Sequence, residues 1–502
     1  MNGLNKFKIM IPSKYQQAVF NFIKSFALGL SDNVNLIIKA VAGSGKTTTI
    51  VESLKLIPED VSVLFLAFNK SIVEHLKTKV NPNQSNINIQ TLHALGAAAI
   101  RFHFKNSILD SSKYKTILEN LITNRNLLEN MEFEEALVYK QNVLKLVDLK
   151  RLYLDVDVAE IASTYGINPI LNECSVVLDI LEIGKYDRTK YDFTDMIWLP
   201  VVHDLKMKQY KIVFIDESQD MSFCQRKLMQ KAVAKDGIFV AIGDPQQSIY
   251  FFSGSSSNSM DELKKLGRYK ELPLSVCYRC PTKVIELAKN IVPEIEASEF
   301  AQEGEVDEFA LIEDLADEDL VMCRNTAPLI SLAIKLLSEG KAAYVMGREI
   351  GLDLIQIIKK TKESDLDRML KKLDDNLSNF LIKIAEQEKI GQKEAMESAQ
   401  YSMLADKNKA IKILSKDLKN IDELVSKIQS IFSDDKKGII LSTIHKAKGL
   451  EADNAYLICP ELLPAHYAKK NKEMMKQEKN LEYIAITRAK KKYGIISDFK
   501  FK

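Results

Sequence analysis

Three groups of residues, far apart in the chain, have the types and spacing needed to handle a nucleoside triphosphate. An apolar run ends in Ala40-Val41-Ala42-Gly43-Ser44-Gly45-Lys46-Thr47, and Lys46-Thr47-Thr48-Thr49 then opens a helical pattern. Glycines at such a turn let backbone N–H groups approach phosphate oxygens, and the start of the helix adds its own unpaired donors. Ala42, Gly43, Ser44, Gly45 and Thr48 form this cradle, Lys46 neutralises β- and γ-phosphate charge, and the Thr47 hydroxyl suits Mg²⁺. The usual pattern opens on Gly, where this chain has Ala40. Further on, Val213-Phe214-Ile215 leads into Asp216-Glu217. A carboxylate at the carboxyl end of a strand can hold Mg²⁺, and its neighbour can deprotonate an attacking water. Asp216 is therefore assigned to the metal and Glu217 to the general base. Taken alone, the pair also fits a strand-end turn or a helix N-cap. Charge developing on a transferred phosphoryl group calls for guanidinium, which matches it bidentately. Arg279 and Arg488 are the candidates. Residues this far apart can share one nucleotide only if two domains face each other across it, which is the arrangement of a motor.

The elements around these residues alternate. Short apolar runs at Val34–Ala40, Val61–Ala67, Lys211–Ile215, Ile238–Ile242, Leu320–Cys323, Ala342–Met346, Gly438–Ser442 and Ala455–Cys459 read as buried parallel strands separated by helical patterns. That rhythm predicts α/β layers. It is interrupted twice, from Phe102 to about Trp198 and from Leu352 to about Lys436, by Lys/Glu/Leu-rich helical stretches that read as insertions. The chain has 502 residues, and single hydrophobic cores stop growing at roughly 250–300 residues, so more than one domain is required.

Composition narrows the class. Hydrophobic residues make up 46% and charged residues 27%, as in ordinary globular proteins. There is no apolar run of about 18 residues and no apolar leader-like segment between Met1 and Tyr15, so neither a transmembrane helix nor a signal peptide is expected, and the expected location is the cytoplasm or a nucleic-acid-containing compartment. A net charge of +2 neither supports nor excludes nucleic acid, because binding needs a local groove rather than a basic average. The lysines near the C-terminus, Lys469 to Lys479 and Lys490 to Lys492, read singly as a solvated helix face. Six scattered cysteines fit a reducing compartment. Cys277-Tyr278-Arg279-Cys280 lacks a second pair at zinc spacing.

In order along the chain, the motifs resemble those of superfamily 1A helicases of the UvrD/Rep/PcrA type. Tyr15-Gln16-Gln17 resembles the adenine-reading Q motif. Gly243-Asp244-Pro245-Gln246-Gln247-Ser248-Ile249-Tyr250 resembles motif III and Tyr278-Arg279 motif IV. Thr443-Ile444-His445-Lys446-Ala447-Lys448-Gly449-Leu450-Glu451 is similar to motif V, and Glu482 through Ala489 to motif VI. The family's phosphate loop also opens on Ala. Leu66 through Ile72 and Ile444 through Lys448 resemble the helicase core of F-box DNA helicases. Asp192-Phe193-Thr194-Asp195-Met196 resembles the family's segment before motif II, and is otherwise a short acidic-aromatic helix start.

The resemblance implies two RecA-like P-loop NTPase domains with parallel sheets, each carrying a helical insertion. The first motor domain comprises residues 1–101 and 199–275 with insertion 102–198. The second comprises 276–351 and 437–502 with insertion 352–436. It further implies that Gln16 reads adenine, Tyr278 stacks on it, Gln247 senses the γ-phosphate and Glu451 contacts ribose. ATP and Mg²⁺ are the implied ligands. Single-stranded DNA is bound by backbone contacts and aromatic stacking, and the implied track is Phe68, Asn69, Thr91, His93, Tyr250, Phe252, Arg324, Asn325, Thr443 and His445. Phe252 resembles the family's wedge between bases. Phe68 stands one place from the family's aromatic, and Ser253 replaces the usual Arg after Phe252. The implied activity is 3′-to-5′ movement on single-stranded DNA with unwinding of duplex junctions, alongside single-strand-binding, replication or recombination proteins. A translocase that strips bound proteins, or a nucleotide-gated binding subunit of a larger complex, are the alternatives.

Overall fold

The computed structural model describes residues 11–80, 84–129, 131, 133–165, 167, 172–249, 254, 258–388, 390–432 and 437–501. The chain forms two units, Met1–Val276 and Cys277–Lys502.

The first unit is built on a six-stranded, all-parallel sheet. Its strands are β1 (Asn35–Ala40), β2 (Val63–Ala67), β3 (Ile87–Thr91), β4 (Tyr210–Ile215), β5 (Val233–Gly243) and β6 (Tyr269–Leu274), in the order β3-β2-β4-β5-β1-β6. Helices α1 (Lys14–Ala27), α2 (Lys46–Leu54), α3 (Lys70–Lys79) and α4 (Leu92–His103) accompany it. The inner strands are apolar through their central positions because both faces are covered, and Asn35, Lys39 and Lys211 lie toward strand ends. Leu36, Ile38, Phe65 and Phe214 lie in one core cluster, while their neighbours Ile37, Leu64, Leu66, Val213 and Ile215 lie in another. Register places Lys39 beside Gly243 and Ile215 beside Ala241. The turns after β1, β4 and β5 therefore emerge together at the carboxyl ends of adjacent central strands, where open α/β sheets bind ligands.

Between α4 and β4 the helices Lys113–Arg125, Phe133–Tyr153, Val158–Thr164 and Glu173–Tyr186 share a separate core with Trp198 and Leu199. At its base lies a buried ion network. Asp195 accepts from Lys113 Nζ at 2.7 Å, Arg151 at 3.0 Å and the Tyr114 hydroxyl at 2.6 Å, while Arg151 also pairs with Asp192 at 2.7 Å. Lys113, Arg151 and Asp195 are almost completely buried. The segment Asp192–Met196 thus anchors the helical insertion. Breaking a buried pair leaves an uncompensated charge, at a cost of about 3–5 kcal/mol. Asp195→Asn should therefore lower the unfolding free energy of this unit by several kcal/mol in denaturant titration. A change within about 1 kcal/mol would deny the network that role.

The second unit repeats the layering, with six parallel strands β7 (Glu305–Ala310), β8 (Leu320–Cys323), β9 (Ala343–Val345), β10 (Ile439–Thr443), β11 (Ala452–Leu457) and β12 (Ala489–Ile496), in the order β7-β12-β11-β8-β10-β9. The α/β expectation with two parallel sheets holds. Helices from Arg348–Lys360 to Ile421–Ile431 fill the span between β9 and β10, and several of their apolar residues join the core of this sheet. One reading is corrected. Lys490, Lys491 and Lys492 lie on β12, not on a helix, and pair with Glu451, with Asp453, and with Glu305 and Asp307. Three lysines in succession would repel one another on a strand without these acids. Among the described residues, no helix is long and apolar enough to cross a membrane.

Candidate functional site

In the first unit the loop after β1 turns through Gly43 (φ 66°) and Gly45 (φ 76°) into α2. Left-handed backbone suits glycine, and it aims the amides at the head of α2 away from the helix. Ser44 is buried, and its Oγ has no hydrogen-bond partner. A buried hydroxyl left unpaired costs free energy, and a phosphate oxygen in the loop would satisfy it. Lys46 opens α2 with its side chain only 14% exposed and its Nζ 3.5 Å from Glu217 Oε1. Burial disfavours its charge, but Glu217, Asp244 and Asp216 together outweigh burial and raise its pKa. Three acids thus favour the cation, and Glu217 pairs with it directly. Thr47 is half-buried and Thr48 exposed on the same turn.

Asp216 and Glu217 follow β4. Asp216 is 5% exposed and accepts the backbone N–H of Glu217 at 2.9 Å. Glu217 takes a left-handed conformation (φ 52°, ψ 39°) at the head of the short helix Ser218–Asp220. A bulky side chain pays a steric penalty there, and such strain collects at functional sites. The turn after β5 carries Asp244, which accepts from Gln247 Nε2 at 2.6 Å and from the Gln246 amide at 3.0 Å. Burial, partly opposed by Lys46, pushes its pKa up to about 6. Asp244 and Gln219 stand inside segments the sequence singles out, yet neither announces a role there. Among the described residues no group of three or more His, Cys, Asp or Glu could hold a metal. One carboxylate and one hydroxyl suit Mg²⁺, which keeps several waters and takes phosphate oxygens. Thr47 and Asp216 fit that demand.

Gln16 is 2% exposed and already engaged. Its Oε1 accepts from the Ser13 amide at 3.0 Å, capping α1, and its Nε2 donates to Thr49 Oγ1 at 3.1 Å. Its carboxamide therefore ties α1 to α2 just beyond the phosphate loop.

The second unit brings Tyr278, Arg279, Glu451 and Arg488 into one neighbourhood. Arg279 Nε donates to Glu451 Oε2 at 2.7 Å and its guanidinium also reaches the Thr487 carbonyl at 3.3 Å. Burial alone would raise the pKa of Glu451, but Lys490 and Arg279 hold it down, so Glu451 is ionised. Arg488 is 1% exposed. It donates to the carbonyls of Ile484 (2.9 Å) and Leu450 (3.0 Å) and to Thr487 Oγ1 (3.3 Å). Tyr278 is 45% exposed beside them.

The described residues assigned to the DNA track sit at or just after strand ends, several of them with their polar groups already in use. Phe68 is half-exposed after β2. Asn69 caps α3 through the Ile72 amide at 2.9 Å, Thr91 caps α4 through the Ala94 amide at 3.1 Å, and Thr443 caps the turn Ile444–Ala447. Each has its side-chain oxygen engaged in a helix start. Arg324 makes a forked pair with Glu478 at 2.9–3.1 Å and reaches the Tyr467 hydroxyl at 2.5 Å. Its charge is neutralised within its own unit, not held open for phosphate. Asn325 heads the helix Thr326–Ser338. Burial lowers the pKa of His93. Burial, with the charge of Arg324 adding to it, pushes that of His445 down to about 3. His445 is thus neutral at pH 7 and can offer hydrogen bonds but no charge. Tyr250, Phe252 and Ser253 lie outside the described residues.

Comparison with known proteins places this geometry. Residues 25–266 match the UvrD/REP helicase N-terminal domain, and residues 438–496 the UvrD-like helicase C-terminal domain. The chain is 23% identical to F-box DNA helicase protein 1 of Schizosaccharomyces pombe, over 91% of this chain and 54% of that protein. It is 24% identical to the ATP-dependent DNA helicase Rep of Buchnera aphidicola, over 54% of this chain and 45% of that protein. It is 21% identical to DNA helicase II of Escherichia coli, over 51% of this chain and 38% of that protein. The chain thus spans about half the length of these relatives, or less.

Proposed function

Because the chain belongs to the UvrD/REP helicase family, carrying both its N- and C-terminal domains, we propose that it is an ATP-dependent DNA helicase that moves 3′-to-5′ on single-stranded DNA and opens duplex junctions. The observation that carries this reading is the cluster at the carboxyl ends of β1, β4 and β5. There a buried lysine, a strained glutamate and an orphaned serine hydroxyl surround a glycine loop.

In this reading the phosphate loop binds the triphosphate through its amides and Ser44 Oγ. Lys46 neutralises the β- and γ-oxygens. Mg²⁺, held by Thr47 and Asp216, would supply further charge neutralisation on those oxygens. Glu217 takes a proton from the attacking water as its oxygen bonds to the γ-phosphorus and the bond to the bridging oxygen breaks. Gln247, fixed by Asp244, reports the γ-phosphate to the turn after β5. Arg279 and Arg488 of the second unit meet the charge that develops on the transferred group. Tyr278 stacks on the base and Glu451 contacts the ribose. Phe68 and the loops after β3, β5, β8 and β10 carry the single strand.

Strand displacement on 3′-tailed and 5′-tailed duplexes tests the reading. Displacement of the 3′-tailed substrate alone, dependent on ATP, is expected. Preference for the 5′ tail reverses the direction. DNA-stimulated hydrolysis with neither duplex opened reduces the activity to translocation.

A further inference from the structure

Gln219 is 1% exposed, yet every polar atom of its carboxamide is bonded. Its Nε2 donates to Glu217 Oε2 and, at 3.2 Å, to Asp220 Oδ2. Its Oε1 accepts the backbone N–H of Asp244 at 3.0 Å, and its own carbonyl accepts from Ser248 Oγ at 3.3 Å. The orientation of the amide is forced. Flipped, it would set oxygen against two carboxylates and N–H against N–H. The next turn leaves room for it only because residue 243 is glycine. A Cβ there would stand 2.4 Å from Gln219 Oε1 and 2.8 Å from Ser218 Oγ. One side chain thus joins the turn after β4, which carries Glu217, to the turn after β5, which carries Asp244 and Gln247.

We propose that Gln219 is a positioning residue: it holds the Glu217 carboxylate in its strained setting and couples it to the Asp244–Ser248 turn. The inference rests on the function proposed above. Glu217 sits on left-handed backbone, so its side chain needs an outside anchor, and Lys46 on one side and Gln219 on the other supply it. A shift of the Asp244 amide pulls Gln219 Oε1 and hence the carboxylate. A displacement of about 1 Å at a reacting group can cost about 100-fold in rate. Movement of this turn by DNA would therefore be felt as DNA stimulation of hydrolysis.

The test uses the full chain with saturating single-stranded oligonucleotide. Gln219→Glu keeps the acceptor for Asp244 and turns both donated hydrogen bonds into repulsion between carboxylates. Gln219→Leu removes both links, and Gly243→Ala displaces the side chain without changing it. All three should lose about 100-fold in DNA-stimulated kcat, with KM for ATP within about twofold. The ratio of DNA-stimulated to basal rate should collapse most in Gln219→Leu and Gly243→Ala. Nucleotide affinity, read with a fluorescent ATP analogue, checks that each variant is folded. Retention of wild-type kcat and stimulation in Gln219→Glu overturns the inference, as does a loss confined to KM. Wild-type protein without DNA-stimulated hydrolysis sinks the proposed function itself, a separate result.

Discussion

Lys46→Ala should abolish ATP hydrolysis, reducing DNA-stimulated turnover by at least about 1,000-fold, within the range that charge stabilisation at a transferred phosphoryl group supplies. Binding of single-stranded oligonucleotide should be spared. The structure adds a reason beyond the lost phosphate contact. Glu217, Asp244 and Asp216 together outweigh burial and raise the pKa of Lys46. Without it three acids crowd one corner, and Glu217 loses its ion pair with Lys46. Lys46→Met keeps most of the aliphatic stem and serves as the packing control. It should bind DNA like the wild type and hydrolyse no faster than the alanine variant. The sign of the pH effect also follows. A lysine whose pKa is raised on folding contributes stability that is present below its ordinary value near 10.5 and lost as pH climbs through the higher folded value. The alanine variant should therefore be less stable than the wild type at neutral pH, and the gap should close only in strong alkali. Normal turnover in either variant, read by phosphate release with single-stranded DNA present, removes Lys46 from the site.

How far the sequence carries can be judged strand by strand. The central strands β1, β2, β4 and β8 are legible because both faces are buried, which makes their middle positions a continuous apolar run. β3 (Ile-Asn-Ile-Gln-Thr), β6 (Tyr-Lys-Glu-Leu-Pro-Leu) and β7 (Glu-Val-Asp-Glu-Phe-Ala) are edge strands with solvent on one side, and their polar residues break the run that marks an inner strand. β9 is also an edge, but all three of its residues are buried and Phe432 bridges to Val345, so its apolar signature survives. β12 escapes for a different reason. Its lysines are tolerated by acids on β7 and β11, partners that no local pattern exposes.

The site divides the same way. Residues proposed to act on phosphate, such as Ser44, Lys46, Asp216 and Glu217, are legible because a glycine turn and a strand end fix them locally. Asn69, Thr91 and Thr443 are ambiguous in principle. The residue after a strand that starts a helix favours Asn and Thr for capping, and the same types suit a nucleic acid backbone. Arg324 reads as a cation until Glu478, 154 residues away in sequence, is seen to neutralise it. The bridge from Glu217 through Gln219 to Asp244 is likewise invisible in one dimension, because it exists only when β4 and β5 lie side by side.

Arg488→Ala should lower the rate of the hydrolytic step by about 1,000-fold or more while leaving nucleotide affinity within a few fold, because an arginine of this kind acts on charge present only in the transition state. Its burial complicates the experiment in a way that the geometry resolves. Truncation also strips a donor from the part-buried carbonyl of Leu450 and one from Ile484, which keeps only the longer bond from Thr487 Oγ1 at 3.3 Å, and a buried acceptor left unpaired costs about 1–3 kcal/mol. A fall in the stability of the second unit is therefore expected alongside the fall in rate. Arg488→Lys separates the two. It keeps a cation that can reach one of those carbonyls, so stability should recover in part. It lacks the planar fork that meets two phosphoryl oxygens at once, so the rate should not. Single-turnover hydrolysis, nucleotide titration and denaturant unfolding on the two variants give the three numbers. If Arg488→Ala weakens nucleotide binding by the same factor as it slows turnover, Arg488 is a ground-state ligand. If Arg488→Lys restores rate and stability in parallel, its role is to hold the segment from Leu450 to Thr487 together and the chemistry must draw its second cation from elsewhere.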